Sequence, residues 1–199
     1  MKLRYSGITY ASLVNGPGVR NVLHLQGCTI YCKGCFNKHT WPHKGGTLKG
    51  VYEVAFLLTK DNPDAITLSG GEPTEQWDGV LDLLRQCHKI KPGLDVLMFS
   101  GLTEDQLGER GILDDAFSPF HESNALVSTI VSGPYDIENP SEEYLLGSSN
   151  QKILTWDKAP IKGEGPRVEI QITEDGLTKV TGFPGAETIK HLNKNFRRV

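Results

Sequence analysis

The sequence predicts an α/β fold: a partial, open βα barrel with a small appendage, a β-hairpin plus short helix, at its C-terminal end. Three observations carry that expectation. Short apolar runs alternate with amphipathic stretches between residues 22 and 131, the pattern of βαβ units around a parallel sheet. Each apolar run leads into a segment rich in Gly, Ser or Cys, and the edge just beyond the strands is where α/β sheets bind ligands. Finally, 199 residues yielding four such strands before residue 155 fall short of the eight strands and ~250 residues of a closed barrel.

The elements follow in order. Val22, Leu23 and Leu25 form a short strand feeding into Gly27-Cys28. Val51, Val54, Ala55 and Leu58 recur at helical spacing. Ala65 to Leu68 is a second strand, ending in Ser69-Gly70-Gly71-Glu72-Pro73. Trp77, Val80, Leu81, Leu84 and His88 share one face of a second helix. Asp95 to Phe99 is a third strand, ending in Ser100-Gly101, and Thr103-Glu104-Asp105-Gln106 has the form of a capping box. Ala125 to Val131 is a fourth strand, ending in Ser132-Gly133-Pro134. Beyond Gly147 the alternation stops, so the core spans residues 1–154 and the appendage 155–199. Within the appendage, Val168, Ile170 and Ile172 alternate before a Glu174-Asp175-Gly176 turn, Leu177 and Val180 follow it, and a helix is expected over 186–195.

Composition narrows the function classes. With 38% hydrophobic and 23% charged residues the chain reads as globular. No apolar run approaches a membrane span, and Met1 to Gly7 lacks the apolar stretch of a signal peptide, so a cytoplasmic protein without a membrane partner is expected. A net charge of −3 gives no reason to expect nucleic acid.

Cysteine usage points to chemistry. Three of the four cysteines lie together, Cys28-Thr-Ile-Tyr-Cys32-Lys-Gly-Cys35, and Cys87 stands apart. Three crowded thiols cannot all pair, whereas a metal or cluster can be shared among thiolates and holds them deprotonated. Zinc would need a fourth ligand, from His39, His43 or Cys87. A four-iron cluster held by three cysteines keeps one iron open, as a catalytic site requires. Cys87 falls on or beside the buried face of the second helix and reads as a packed thiol.

The triplet Cys28-x3-Cys32-x2-Cys35 resembles the signature of the radical S-adenosylmethionine superfamily, and Ser69-Gly70-Gly71-Glu72-Pro73 resembles its second motif. More narrowly, Val14-Asn15-Gly16-Pro17-Gly18-Val19-Arg20, Cys35-Phe36-Asn37-Lys38-x-Thr40-Trp41 and Gly147-Ser148-Ser149-Asn150-Gln151 are similar to the activating proteins of anaerobic ribonucleoside-triphosphate reductases. The resemblance implies a barrel of the radical S-adenosylmethionine type and two cofactors, a 4Fe-4S cluster on Cys28, Cys32 and Cys35 and S-adenosyl-L-methionine on its open iron. It implies an oxidoreductase that cleaves S-adenosylmethionine reductively to a 5′-deoxyadenosyl radical and installs a glycyl radical on a large partner subunit, most simply an anaerobic ribonucleotide reductase. A flavodoxin- or ferredoxin-type donor would supply the electron. Chemistry borne by the cofactors leaves no side chain with an expected catalytic acid or base role.

Around the cluster, the expected cofactor-binding residues are Gly34, Cys35, Phe36, Gly70, Gly71, Glu72 and Ser100. Gly70 and Gly71 let backbone approach a ligand, or simply make a turn. Glu72 either accepts from the methionyl ammonium or caps a turn. Phe36 either stacks near adenine or packs in the core, and Ser100 either meets the ligand or serves a turn. The Asn15 to Gly18 loop is expected near the same rim, Arg20 on a ligand carboxylate or in a surface ion pair, and Ser148 to Asn150 on the active face or in a capped turn. Two rival functions remain open. One is a radical enzyme acting on a small molecule, similar to 7-carboxy-7-deazaguanine synthase, and the other a zinc-binding interaction module.

Overall fold

The computed structural model describes residues 1–121, 124–156, 165–172 and 178–183, with residues 188 and 191. Strand β1 (Lys2–Ser12) opens the chain and pairs antiparallel with β2 (Arg20–Leu25) on one side and with β3 (Thr47–Gly50) on the other. Helix α1 (Val51–Leu58) leads to β4 (Ala65–Gly70), helix α2 (Trp77–Ile90) to β5 (Asp95–Ser100). Helices α3 (Glu104–Glu109) and α4 (Ile112–Phe117) and the small pair β6 (Pro119–His121) and β7 (Asn124–Ala125) lead to β8 (Thr129–Ser132). Strand β9 (Lys152–Thr155) closes one seven-stranded sheet of order β3-β1-β2-β4-β5-β8-β9. Strands β10 (Val168–Ile172) and β11 (Thr178–Gly182) form a separate antiparallel hairpin.

The expected βαβ alternation is the centre of this sheet: β2, β4, β5 and β8 run parallel. The sheet as a whole is mixed, because β1, β3 and β9 add antiparallel strands at its edges. Strand β1 escapes a reading by alternation for a physical reason. Its pairing with β2 shifts register between Tyr5 and Gly7 and again between Thr9 and Ser12, and each shift breaks the period of two. The fourth expected strand is divided: Ala125 belongs to the small pair, and the sheet strand runs from Thr129 through Ser132. The expected hairpin at 168–182 is present, whereas most of the helix expected at 186–195 lies outside the described residues. Among the described residues, no helix is long and apolar enough to cross a membrane.

Each face of the sheet has its own chemistry. Leu3, Leu23, Leu25, Ile66, Leu68, Val96, Met98 and Ile130 point to the helices and are fully buried, or nearly so, with Val54, Leu58, Leu83, Leu84 and Leu107. At ~1.5–3 kcal/mol for each large apolar side chain withdrawn from water, this layer dominates the folding energy. The capping box expected at Thr103 is formed, with Gln106 N–H donating to Thr103 Oγ1 and Thr103 N–H to Gln106 Oε1.

The second face carries a buried charge. Arg20 is 1% exposed, and its guanidinium donates to Thr67 Oγ1 (2.8 Å), Asp95 Oδ2 (2.7 Å), the Ile66 carbonyl (2.6 Å) and the Pro17 carbonyl (3.2 Å). Thr67 Oγ1 in turn donates to the Asn15 carbonyl at 2.7 Å. This corrects both readings of Arg20. It is neither at a ligand nor in a surface pair, because the planar fork is consumed in tying β2 to β4, β5 and the preceding loop. Burial pulls its pKa down while Asp95 opposes that shift, and guanidinium stays charged throughout. The Asn15 to Gly18 loop accordingly folds against this face at the N-terminal end of β2, the opposite end from the cysteines.

Replacing Arg20 by Lys keeps the charge and removes the fork, so we expect a loss of about 1.5–3 kcal/mol. Urea unfolding of the two proteins measures it, and a midpoint equal to that of the wild type would contradict the network.

Candidate metal centre

Parallel pairing of β2 with β4 continues past the strands. Gly71 N–H donates to the Leu25 carbonyl and Glu72 N–H to the Gly27 carbonyl, each at 2.8 Å. The approach is so close that a Cβ on Gly71 would overlap the Gly27 carbonyl oxygen. Gly70, at φ +92°, would place a Cβ 2.7 Å from the His24 backbone. The two glycines thus answer first to the neighbouring strand end, and only through it to any ligand.

The segment after β2 is the cysteine loop, and several bonds fasten its base. Gly27 N–H donates to the Thr40 carbonyl (2.7 Å) and Cys28 N–H to the Trp41 carbonyl (3.1 Å), so the loop returns along its own start. The Gln26 side chain donates to the carbonyls of His39 and Pro42, while Gln76 donates to those of Gln26 and Arg4. Glu75 receives both the Thr29 N–H and its hydroxyl at 2.6 Å, and His43 Nε2 lies 2.6 Å from its other oxygen. Burial alone would raise the Glu75 carboxyl, but the Thr29 donors and His43 outweigh it and hold the group below the usual carboxylate range. Nothing in the sequence singled out Gln26, Gln76, Thr29 or Glu75, because each acts only through a segment distant along the chain.

Within the loop, Cys35 N–H donates to the Cys32 carbonyl at 3.0 Å. Gly34, at φ +82°, lies under Ile137, whose Cδ1 would be 2.6 Å from an added Cβ. Phe36 follows half-buried. All three thiols are free and partly buried. Burial pushes the Cys28 thiol up, opposed by N–H donors from Ile30 and Tyr31, and it pushes Cys32 up, opposed by an N–H from Tyr135. Sulfur atoms that already receive backbone N–H donors suit an iron–sulfur cluster, whose potential such bonds tune. Among the described residues, no three Cys, His, Asp or Glu side chains gather as a single ion at about 2.3 Å from each sulfur would require. Of the three fourth ligands considered for zinc, His43 is paired with Glu75 and Cys87 lies in the fully buried core, while His39 stands in the turn whose carbonyl Gln26 holds. Three soft thiols on one short loop, two of them receiving backbone N–H donors, have the donor chemistry of a cluster.

Glu72 and Ser100 sit behind the thiols. Glu72 is 3% exposed and its carboxylate accepts from Thr74 N–H (3.1 Å), Thr74 Oγ1 (2.8 Å), Ser100 Oγ (2.9 Å) and Gly101 N–H (2.8 Å). Burial raises its pKa and those donors oppose the shift. Three of these donors share Oε1 and Gly101 N–H alone reaches Oε2, so the carboxylate caps the turn after β4 and ties it to the end of β5. Ser100 donates to Glu72 and accepts from Leu102 N–H, so its hydroxyl joins the turn after β4 to the end of β5.

The Gly147 to Gln151 motif works one step removed. Gln151 bridges the Gly147 N–H and the Gly133 carbonyl, Asn150 donates to the Pro134 carbonyl, and Ser148 Oγ accepts from Asp136 N–H. The motif thereby shapes residues 133–138, which reach the cysteine loop through Tyr135 on Cys32, Ile137 on Gly34 and Glu138 on Lys33 at 2.8 Å.

Two outcomes are expected of the metal-free chain. Alkylation at pH 8 labels Cys28, Cys32 and Cys35 but spares Cys87, whose thiol is pushed up to about 12, until the protein is denatured; mass spectrometry counts the adducts. Gly71→Ala forces β4 from the cysteine loop and lowers stability by about 1–3 kcal/mol, read from thermal unfolding.

Residues 14–154 match the family described as "4Fe-4S single cluster domain". An anaerobic ribonucleoside-triphosphate reductase-activating protein of Enterobacteria phage T4 is 28% identical over 156 residues, covering 76% of this chain and 93% of the relative. The protein of the same name from Escherichia coli (strain K12) is 31% identical over 153 residues, covering 71% and 91%. A pyruvate formate-lyase-activating enzyme of Clostridium pasteurianum is 34% identical over 90 residues, covering 42% and 38%. With its triplet of thiols on a fastened loop and this match across most of the α/β core, the chain belongs to the 4Fe-4S single cluster domain family, among the anaerobic ribonucleoside-triphosphate reductase-activating proteins.

Proposed function

We propose that this enzyme installs a glycyl radical on a large partner, most simply an anaerobic ribonucleotide reductase, in a cytoplasmic setting with a flavodoxin- or ferredoxin-type electron donor. Its family carries a 4Fe-4S cluster, and enzymes of the activating type use S-adenosylmethionine. When bound, these cofactors supply one electron to the sulfonium C–S bond and a 5′-deoxyadenosyl radical that removes a glycine hydrogen.

This chain's residues hold and shield. Cys28, Cys32 and Cys35 are the proposed cluster ligands. Gly34 and Phe36 shape the loop around them, and the backbone at Gly70 and Gly71 borders the site. Glu72 and Ser100 position that backbone from behind. The observation that carries the reading is the continued pairing of the strand ends, Gly71 on Leu25 and Glu72 on Gly27, which holds the thiol loop and the Gly-Gly turn together. Residues 1–154 form the reacting core in this reading, with the mixed sheet as the wall of an open half-barrel and residues 155–199 as an appendage. A wide mouth favours a protein segment as substrate, because a small molecule would leave its radical exposed to water.

The test is to mix anaerobically reconstituted, reduced protein with S-adenosylmethionine and an anaerobic reductase, and to seek a glycyl radical by electron paramagnetic resonance. A doublet on the partner supports the reading; a colourless protein binding one zinc overturns it. Cys28→Ala, Cys32→Ala and Cys35→Ala should each abolish the signal and lower the bound iron, whereas Cys87→Ala should keep about four irons per chain.

A further inference from the structure

The family match ends at residue 154, and the Escherichia coli relative is 91% covered by only 71% of this chain. Residues 165–183 therefore need an account of their own. Their contacts fall on both flanks of the sheet's second face. On the β1 side, Glu169 Oε2 accepts from Ser12 Oγ (3.1 Å) and Leu13 N–H (2.9 Å), and Thr181 Oγ1 accepts from Asn15 Nδ2 (3.0 Å). Gln171 donates to the Tyr10 carbonyl at 3.4 Å. On the far side, Arg167 donates to the Ser141 carbonyl (2.9 Å) and to the carbonyls of Leu146 and Glu143 (3.4 Å each), in the segment between β8 and β9. Between these anchors Phe183 packs on Phe99 of β5, ring centroids 5.3 Å apart, against the cluster of Leu97, Val131, Leu145 and Leu146. Phe183 N–H donates to the Arg167 carbonyl at 2.6 Å, tying the end of β11 back to the residue that makes the far-side contacts.

We infer that residues 165–172 and 178–183 are a strap across the open side of the sheet, supplying from this chain a water-excluding wall, with Arg167, Glu169 and Phe183 as positioning residues. The inference rests on the proposed radical chemistry. Bonds to opposite flanks of one face are what a strap needs, and a hairpin merely parked on the surface would make them to one flank. The helix-bearing face is sealed by its own apolar layer. The opposite face holds the buried Arg20 network and the Asn15 loop, where stray water would compete for each hydrogen bond. The strap also clamps that loop directly, through Thr181 on Asn15 and through Gly182, where an added Cβ would lie 3.0 Å from Val14.

The test compares the full-length wild type, the double variant Glu169→Ala/Phe183→Ala, and Ile172→Ala as a control on the same hairpin, where the side chain is 76% exposed. In the metal-free proteins, hydrogen–deuterium exchange at Leu13 should quicken about tenfold or more in the double variant, the weight of one hydrogen bond to a charged acceptor, and stay unchanged in the control. Equal exchange in all three proteins overturns the strap. In reconstituted protein without partner, dithionite supplies one electron per S-adenosylmethionine, which splits to methionine and a 5′-deoxyadenosyl radical. That radical takes a hydrogen atom from dithiothreitol, leaving 5′-deoxyadenosine and a thiyl radical. Release of 5′-deoxyadenosine should rise severalfold in the double variant alone. Faster exchange with unchanged release would make the strap merely structural and overturn its shielding role. No product from the wild type would overturn the radical chemistry itself, and the shielding with it, while the exchange result still decides whether the strap is closed.

Discussion

Two backbone hydrogen bonds, Gly71 to Leu25 and Glu72 to Gly27, carry more of this structure than any side chain. They extend a parallel strand pair beyond the strands, where a sheet ordinarily ends in diverging loops. That extension demands residues without side chains at the contact, which is why Gly70 and Gly71 are there. It also sets where Cys28 begins its loop. Everything around the thiols is arranged so that this contact survives: Gln26 and Gln76 fix the loop's base, Glu75 and His43 its first turn, and residues 133–138 cover its far side.

Buried charge is used twice, in opposite ways. Arg20 draws one strand to three neighbours through a rigid fork of donors. Glu72 gathers donors from the turn after β4 and the end of β5 onto a single carboxylate. Both groups are costly to desolvate and are offset only by a full set of partners. Arg20 opens β2 and Glu72 follows the end of β4, so the polar networks specify how those strand ends sit while the apolar layer supplies the bulk of the folding energy. The site's precision and the protein's stability thus come from different parts of the molecule.

The family to which the chain belongs matches residues 14–154, and the hairpin beyond that match makes its own contacts with the core. Its polar bonds reach β1 and the segment before β9, both of which lie outside the parallel centre of the sheet. The additions to the βα pattern, in sheet and appendage alike, therefore meet one another around the side that the helices leave uncovered.

The α/β class, the parallel strands at the centre of the sheet, the placement of cysteines and glycines at strand ends and the burial of Cys87 were all legible from residue patterns. Each is a local property: period, turn chemistry or the crowding of three thiols in eight positions. Strand β1 was not, since two register shifts erase its alternation, and β3 and β9 are too short to show a period. The roles of Arg20, Glu72 and Ser100 also waited on the fold. A charged or hydroxyl side chain declares its chemistry in sequence but not its partner. Only the tertiary structure brought Arg20 to Thr67 and Asp95, and Glu72 to Ser100 and Gly101, because hydrogen bonding is directional and short-ranged while the residues that satisfy it lie tens of positions apart along the chain.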